Sequence, residues 1–156
     1  MTQKLILMLF GVYAISQTPT FDGVVTPHEW HNAQQFSLDY EIEPSDNGPA
    51  PYKTEVFVTH SPTDIYVGFI AHADMNKLRS SVRNRDDIGG DDNVAIGFDT
   101  YGDGRTMIVL GANPEGNQFD LKILPNGDED TYDLNFETKA SKHETAYHVE
   151  FKIPVS

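Results

Sequence analysis

Short apolar runs alternate with turn-forming clusters along most of this chain. Residues 54–59 set Val56 and Val58 against Glu55 and Phe57, the two-residue period of a half-buried strand. Ser61, Pro62, Thr63 and Asp64 then turn the chain, and residues 65–71 read as a longer apolar strand. Residues 93–99 and 107–111 flank Tyr101, Gly102, Asp103 and Gly104, a glycine-rich hairpin signal. An Asn-Pro-Glu-Gly turn at 113–116 leads into a strand at 119–124, and a Pro-Asn-Gly-Asp turn follows at 125–128. Residues 134–138 and 146–153 supply two last strands, whereas residues 39–51, polar and proline-containing, read as a long exposed loop. No amphipathic helix of useful length is predicted; residues 27–32 and 76–81 have room for one helical turn each. Strands recurring about every 8–12 residues predict an all-β antiparallel sandwich, jelly-roll or immunoglobulin-like, of about 8–11 strands.

The N-terminus departs from this pattern. Lys4 is followed by an apolar run from 5 to 15, with Ala14 and Ser16 as small residues around a cleavage position. Such a run is too short to span a bilayer and reads as a secretory signal over residues 1–16, leaving one domain over 17–156. The competing reading is a core strand or buried helix. A secreted, periplasmic or outer-membrane-associated location follows from the signal reading.

Charge narrows the partners. The chain has 156 residues, enough for one domain with a real core, and a net charge of −13 that repels nucleic acid. The absence of cysteine excludes disulfides, thiolate metal sites and cysteine nucleophiles. The acid is concentrated: 12 acidic residues lie between Asp86 and Asp133, against Arg105 and Lys122. A solvated acidic surface explains this as readily as calcium-binding loops do.

The densest chemistry is the run from Arg83 to Asp92, with two arginines, four aspartates and the turn-forming Gly89 and Gly90. Either Arg83 and Arg85 pair with Asp86, Asp87, Asp91 and Asp92, or these groups grip a cation or a polar ligand. Asp99 with Asp103, and Asp128 with Asp130, are further candidate calcium carboxylates, although neither turn has EF-hand spacing. Tyr101, on a hairpin tip, could stack on a sugar face, and Tyr52 and Tyr132 flank strands. His28 and His31 lack an evident third zinc ligand, and nothing marks a haem pocket around Met107, His60 or His72. No nucleophile elbow, phosphate loop or dinucleotide fingerprint occurs, so no enzyme activity is expected.

Five motifs in order carry a resemblance. Phe21, Asp22, Gly23 and then Glu29 and Trp30 resemble the opening of carbohydrate-binding module family 9-like domains. Thr54, Glu55, Val56 and the later run Tyr66, Val67, Gly68, Phe69 are similar to that family's pair of strands. The acidic loop at 85–92 with Phe98, Asp99 and Thr100, the turn at 113–116, and Val149, Glu150, Ile153 and Pro154 match the rest over roughly residues 19–156. The resemblance is to a subgroup lying N-terminal to a predicted outer-membrane β-barrel region. It implies a β-sandwich and a non-catalytic module that binds a polysaccharide or oligosaccharide. The one tryptophan, Trp30, matches the family's core position and not its aromatic clamp, so no sugar-contacting residue carries across. The expected ligand groups are therefore those read from the residues themselves: Arg83, Arg85, Asp91, Asp92, Tyr101 and Asn113, with calcium at Asp86, Asp87, Asp99, Asp103, Asp128 and Asp130. The alternative is an accessory domain that associates with an outer-membrane β-barrel or another protein and binds no sugar.

Overall fold

The computed structural model describes residues 18–41 and 47–155. The expected signal at 1–16 and part of the expected loop lie outside the described residues. Among the described residues eight strands form: β1 Gln34–Glu41, β2 Gly48–His60, β3 Asp64–His72, β4 Val94–Phe98, β5 Met107–Ala112, β6 Gln118–Ile123, β7 Glu137–Lys142 and β8 Ala146–Pro154. They make two antiparallel sheets, one of five strands in the order β1-β2-β3-β8-β7 and one of three in the order β4-β5-β6. The sandwich expectation holds. Among the described residues no helix is long and apolar enough to cross a membrane.

Two local expectations are corrected. Residues 39–51 are not one long loop, because β1 ends at Glu41 and β2 begins at Gly48. The signal was the alternation Phe36, Leu38, Tyr40. It was masked by Pro49 and Pro51, which a strand tolerates where no neighbour needs their N–H. β3 pairs with β2 only from Thr54 to His60, so both prolines lie beyond it. Residues 134–136 are not strand either, since β7 starts at Glu137. Side chains take the place of a ladder there. Leu134 N–H donates to Asp120 (2.5 Å), Leu134 C=O accepts from Arg85 (2.8 Å), and Phe136 C=O accepts from Gln118 (2.8 Å).

The strand period puts the core between the sheets. Val56, Val67, Phe69, Tyr147, Val149, Phe151 and Ile153 from the large sheet meet Val94, Leu110 and Ala112 from the small one. Phe69 meets Phe151 edge-on at 5.6 Å, and Phe136 stacks on Phe151 at 6.1 Å. The alternate positions Phe57, Tyr66 and Ile70 face the other way and would be exposed apolar surface. The segment 18–33 covers them: Val25 and Trp30 close a second buried cluster with these residues and Ala146. Trp30 lies directly over Gly68, where a Cβ would come within 2.9 Å of the indole. The resemblance's core tryptophan therefore works on the outer face of the large sheet. The turn expected at 27–32 forms, with Trp30 N–H donating to Thr26 C=O at 3.1 Å.

Polar bonds tie this strap down. Glu150, 1 % exposed, accepts from Asp22 N–H (2.8 Å) and Gly23 N–H (2.6 Å). Val25 N–H donates to His148 Nδ1 (3.2 Å), Ser141 Oγ donates to Gly23 C=O (2.6 Å), and Lys139 Nζ donates to Phe21 C=O (2.8 Å). Burial pushes the Glu150 carboxyl up to about 7; the Asp22 and Glu29 carboxylates push the same way, against the two N–H bonds. Burial, with His143 and His72 nearby, pulls His148 down to about 4.

These shifts act in opposite senses. Glu150 holds its proton more tightly when folded, so its contribution is complete below about 4.5 and is lost as the pH rises through about 7. His148 holds its proton less tightly, so its contribution is complete above about 6.5 and is lost as the pH falls through about 4. Between pH 4.5 and 6.5 the two offset each other. Carboxylates that are lowered, such as Glu55 and Glu115, act below that window. Stability measured by chemical denaturation is thus expected to change little across it. Glu150→Gln should make stability rise with pH and His148→Gln should make it fall, each by up to about 1.4 kcal/mol per pH unit.

Candidate functional site

The connection from β3 to β4 spans residues 73–93 and closes one end of the sandwich. Local chemistry starts it: Asp74 accepts from Asn76 N–H at 3.2 Å and pairs with Lys77 at 3.3 Å. Two adjacent aspartates then hold it in opposite directions. Asp91 turns inward, accepting from Ser81 N–H (3.1 Å) and Asn113 Nδ2 (3.0 Å), with Arg83 Nε at 3.5 Å. Asn113, at 0 % exposure, also donates to Ser81 C=O and accepts from Glu115 and Asn117 N–H. Desolvation opposes ionisation of Asp91, but the Asn113 and Ser81 bonds and the Arg83 charge win and hold its carboxyl below the usual range. Asp92 turns outward. It accepts from Arg79 N–H at 2.8 Å, its own N–H donates to Arg79 C=O at 2.9 Å, and its carboxylate lies 3.6 Å from the Arg79 guanidinium.

Above this lock lies a cleft of about 460 Å³, whose lining includes Tyr52 and Thr54 from β2, Ala71 from β3, Tyr147 from β8, and Arg79 and Asp92 from the long connection. Tyr52 is half exposed. Burial, with the Asp92 charge, pushes the Tyr147 phenol up, so it stays protonated at neutral pH. Pairing across the large sheet places Leu38 opposite Thr54, Thr54 opposite Ala71, and Ala71 opposite Tyr147. The cleft floor therefore follows one cross-strand row of the inner face: Ala71 and Tyr147 at one end are buried against the small sheet, and Thr54 and Leu38 lie beyond it.

The twelve sequence-expected site residues fall into separate places. Arg83, Asp91 and Asn113 come together, with Asp91 and Asn113 buried under the long connection and their polar atoms held by protein groups. Asp92 alone of the expected ligand groups reaches the cleft. Tyr101 is strongly exposed on the β4–β5 hairpin, at the far end of β4, about 17 Å along the strand from the cleft. Asp99 and Asp103 are in that hairpin, where Asp99 accepts from Asp103 and Gly104 N–H and Asp103 accepts from Arg105 and Thr106 N–H. Asp128 and Asp130 are exposed beyond β6.

Arg85 and Asp86 sit beside the cleft end. Arg85 donates to Gln118 (2.7 Å), to Leu134 C=O (2.8 Å) and to Asp120, and its guanidinium lies 5.2 Å over the Phe136 ring. Oxygens of Asp86, Asp120 and Asp133 lie within 4.8 Å of one another, the one such acidic group among the described residues. Asp120 and Asp133 were not anticipated, because they are 34 and more positions from Asp86 and only the fold gathers them. The residues do not fit a resident calcium: Arg85 already contacts all three carboxylates, at 3.7 Å for Asp86 and 3.4 Å for Asp133. Asp87 is exposed and pairs with Arg83 at 3.9 Å. Since the Asp120 side chain is wholly buried, Arg85→Ala strands a carboxylate. It should cost about 3 kcal/mol in urea unfolding, and Arg85→Lys should recover only part, because one ammonium cannot span three acceptors.

No family model and no curated protein sequence matches the chain. Solved structures do. A proposed carbohydrate-binding protein of Bacteroides uniformis superposes with a TM-score of 0.68 at 13% identity, covering 86% of this chain and 67% of that one. A family 9 carbohydrate-binding module of Caldicellulosiruptor kristjanssonii, in complex with cellotriose, superposes with a TM-score of 0.59 at 20% identity, covering 88% and 64%. The chain thus spans about two thirds of the length of each neighbour. At these identities the likeness concerns the fold: the chain has the β-sandwich of family 9-like carbohydrate-binding modules.

Proposed function

We propose that the protein is a non-catalytic carbohydrate-binding module and that the cleft beside Tyr52 is its sugar site. The observation that carries this is the pairing of a half-exposed tyrosine with an arginine and a carboxylate in one concavity. A sugar ring presents apolar C–H faces and polar hydroxyl edges. The tyrosine suits the faces; Arg79 donates to hydroxyls, Asp92 accepts from them and the Tyr147 phenol can do both. The cellotriose bound by one structural neighbour, and the carbohydrate-binding description of the other, support the same reading. The apolar run after Lys4 supports work outside the cytoplasm.

A glycan array identifies the ligand class, and calorimetry tests the site. Tyr52→Ala should weaken binding at least tenfold, about 1.4 kcal/mol, with an unchanged melting temperature. Full affinity in the Tyr52→Ala protein would remove the cleft from consideration. In this reading Arg85 supplies the positive charge that calcium would otherwise bring. Melting temperature and sugar affinity are therefore expected to be the same in millimolar calcium and in EDTA; a rise of several degrees confined to calcium would establish a bound ion.

A further inference from the structure

The cleft adjoins β1 through Thr54, which lines it and pairs with Leu38. β1 is one of the two edge strands of the large sheet. Its residues Phe36 and Leu38 pair with Val56 and Thr54, so they point to the inner face, and Tyr40 follows beyond a register shift, opposite Pro49. None of the three is covered: Phe36 is 45% exposed, Leu38 53% and Tyr40 73%. The opposite face of β1 carries Gln35, Ser37 and Asp39, the polar pattern of a solvent side. An apolar stripe on the inner face of an edge strand is a liability unless something uses it.

We propose that this ledge extends the sugar site, and that the ligand is a linear oligosaccharide running across the strands from the cleft onto β1; the proposal rests on the cleft reading above. Continuity argues for a glycan. The row Tyr147, Ala71, Thr54, Leu38 is unbroken from the cleft floor to the ledge. Three strand spacings make about 14 Å, room for about three linked pyranose rings of about 5 Å each by ordinary bond lengths. Chemistry is graded along the same line. Arg79 and Asp92 serve the hydroxyls of a ring in the cleft, whereas Leu38 and the ring of Tyr40 offer mainly contact to the C–H faces of rings beyond it. Area argues against a protein. Three half-exposed side chains present on the order of 300 Å² of apolar surface, well short of the roughly 800 Å² per partner of a stable interface.

The test is calorimetry on the full chain with linear gluco-, xylo- and manno-oligosaccharides, β-1,4- and β-1,3-linked, of one to six rings. Affinity should rise at least tenfold from the shortest binder to about three or four rings and then level off. A Leu38→Ala/Tyr40→Ala protein, altered only at exposed positions, should bind the shortest ligand as before and lose the rise with length. The single variant Tyr40→Ala, checked by its melting temperature, guards against misfolding of the double variant. Binding that does not depend on length, or whose length dependence survives both variants, overturns the ledge and leaves the cleft. No binding at any length overturns the cleft reading and the ledge with it. Self-association in sedimentation equilibrium that Leu38→Lys abolishes would assign the ledge to a second copy of the chain and also overturn the proposal.

Discussion

A five-stranded sheet has two broad faces to cover, and a three-stranded partner covers only part of one. Much of the molecule's remaining architecture answers that mismatch. On the outer face the strap at 18–33 lays Val25 and Trp30 over Phe57, Tyr66 and Ile70. On the inner face the small sheet covers the centre and the long connection shields one end. What stays uncovered is the edge formed by β1 and the start of β2, and the cleft with its ledge lies there. The candidate binding surface is the part of the large sheet's inner face that packing leaves open.

Both covers are held by buried carboxylates. Glu150 anchors the strap through two backbone N–H groups, and Asp91 anchors the connection through Ser81, Asn113 and Arg83. Their protonation differs for a physical reason. Asp91 has a guanidinium at 3.5 Å and a side-chain amide donor, so it stays charged in spite of burial. Glu150 has N–H donors but acidic neighbours in Asp22 and Glu29, so desolvation prevails. Asp120 is a third such group, with Arg85 as its counterion. Removing one partner of such a group is costly because the other is left buried and unpaired.

The adjacent pair Asp91 and Asp92 shows how structure and recognition are divided. One carboxylate faces the interior and fixes the loop. The next faces the cleft and clamps Arg79 there. The bend at Asp91, whose N–H donates to Ile88 C=O, precedes β4 and sends the two side chains to opposite sides, so one short acidic sequence both builds the wall and furnishes it.

Period-two alternation and turn chemistry are local, and they were enough to reveal the sandwich and most of its strands. Charge density singled out Asp92, but the aromatic expected to meet a sugar was Tyr101, and Tyr52 was noted only as flanking a strand. The structural part of the Arg83–Asp92 run was legible as one of two alternatives, mutual pairing or ligand binding, since like composition serves both. Local pattern failed at residues 39–51, where prolines hid a strand that borders only one neighbour, and at 134–136, where Asp120, Arg85 and Gln118 replace a ladder. It could not find Arg79 or Tyr147 as partners of Asp92, nor join Asp86 to Asp120 and Asp133, because those approaches depend on strand order. Which strands adjoin, which face each carboxylate takes, and how far a three-stranded sheet reaches across five strands are set by long-range packing. The chain alone determined that a β-sandwich would form, because the signal lies within a few residues; only tertiary structure decided where its open surface would lie, because that depends on what remains uncovered after the sheets have packed.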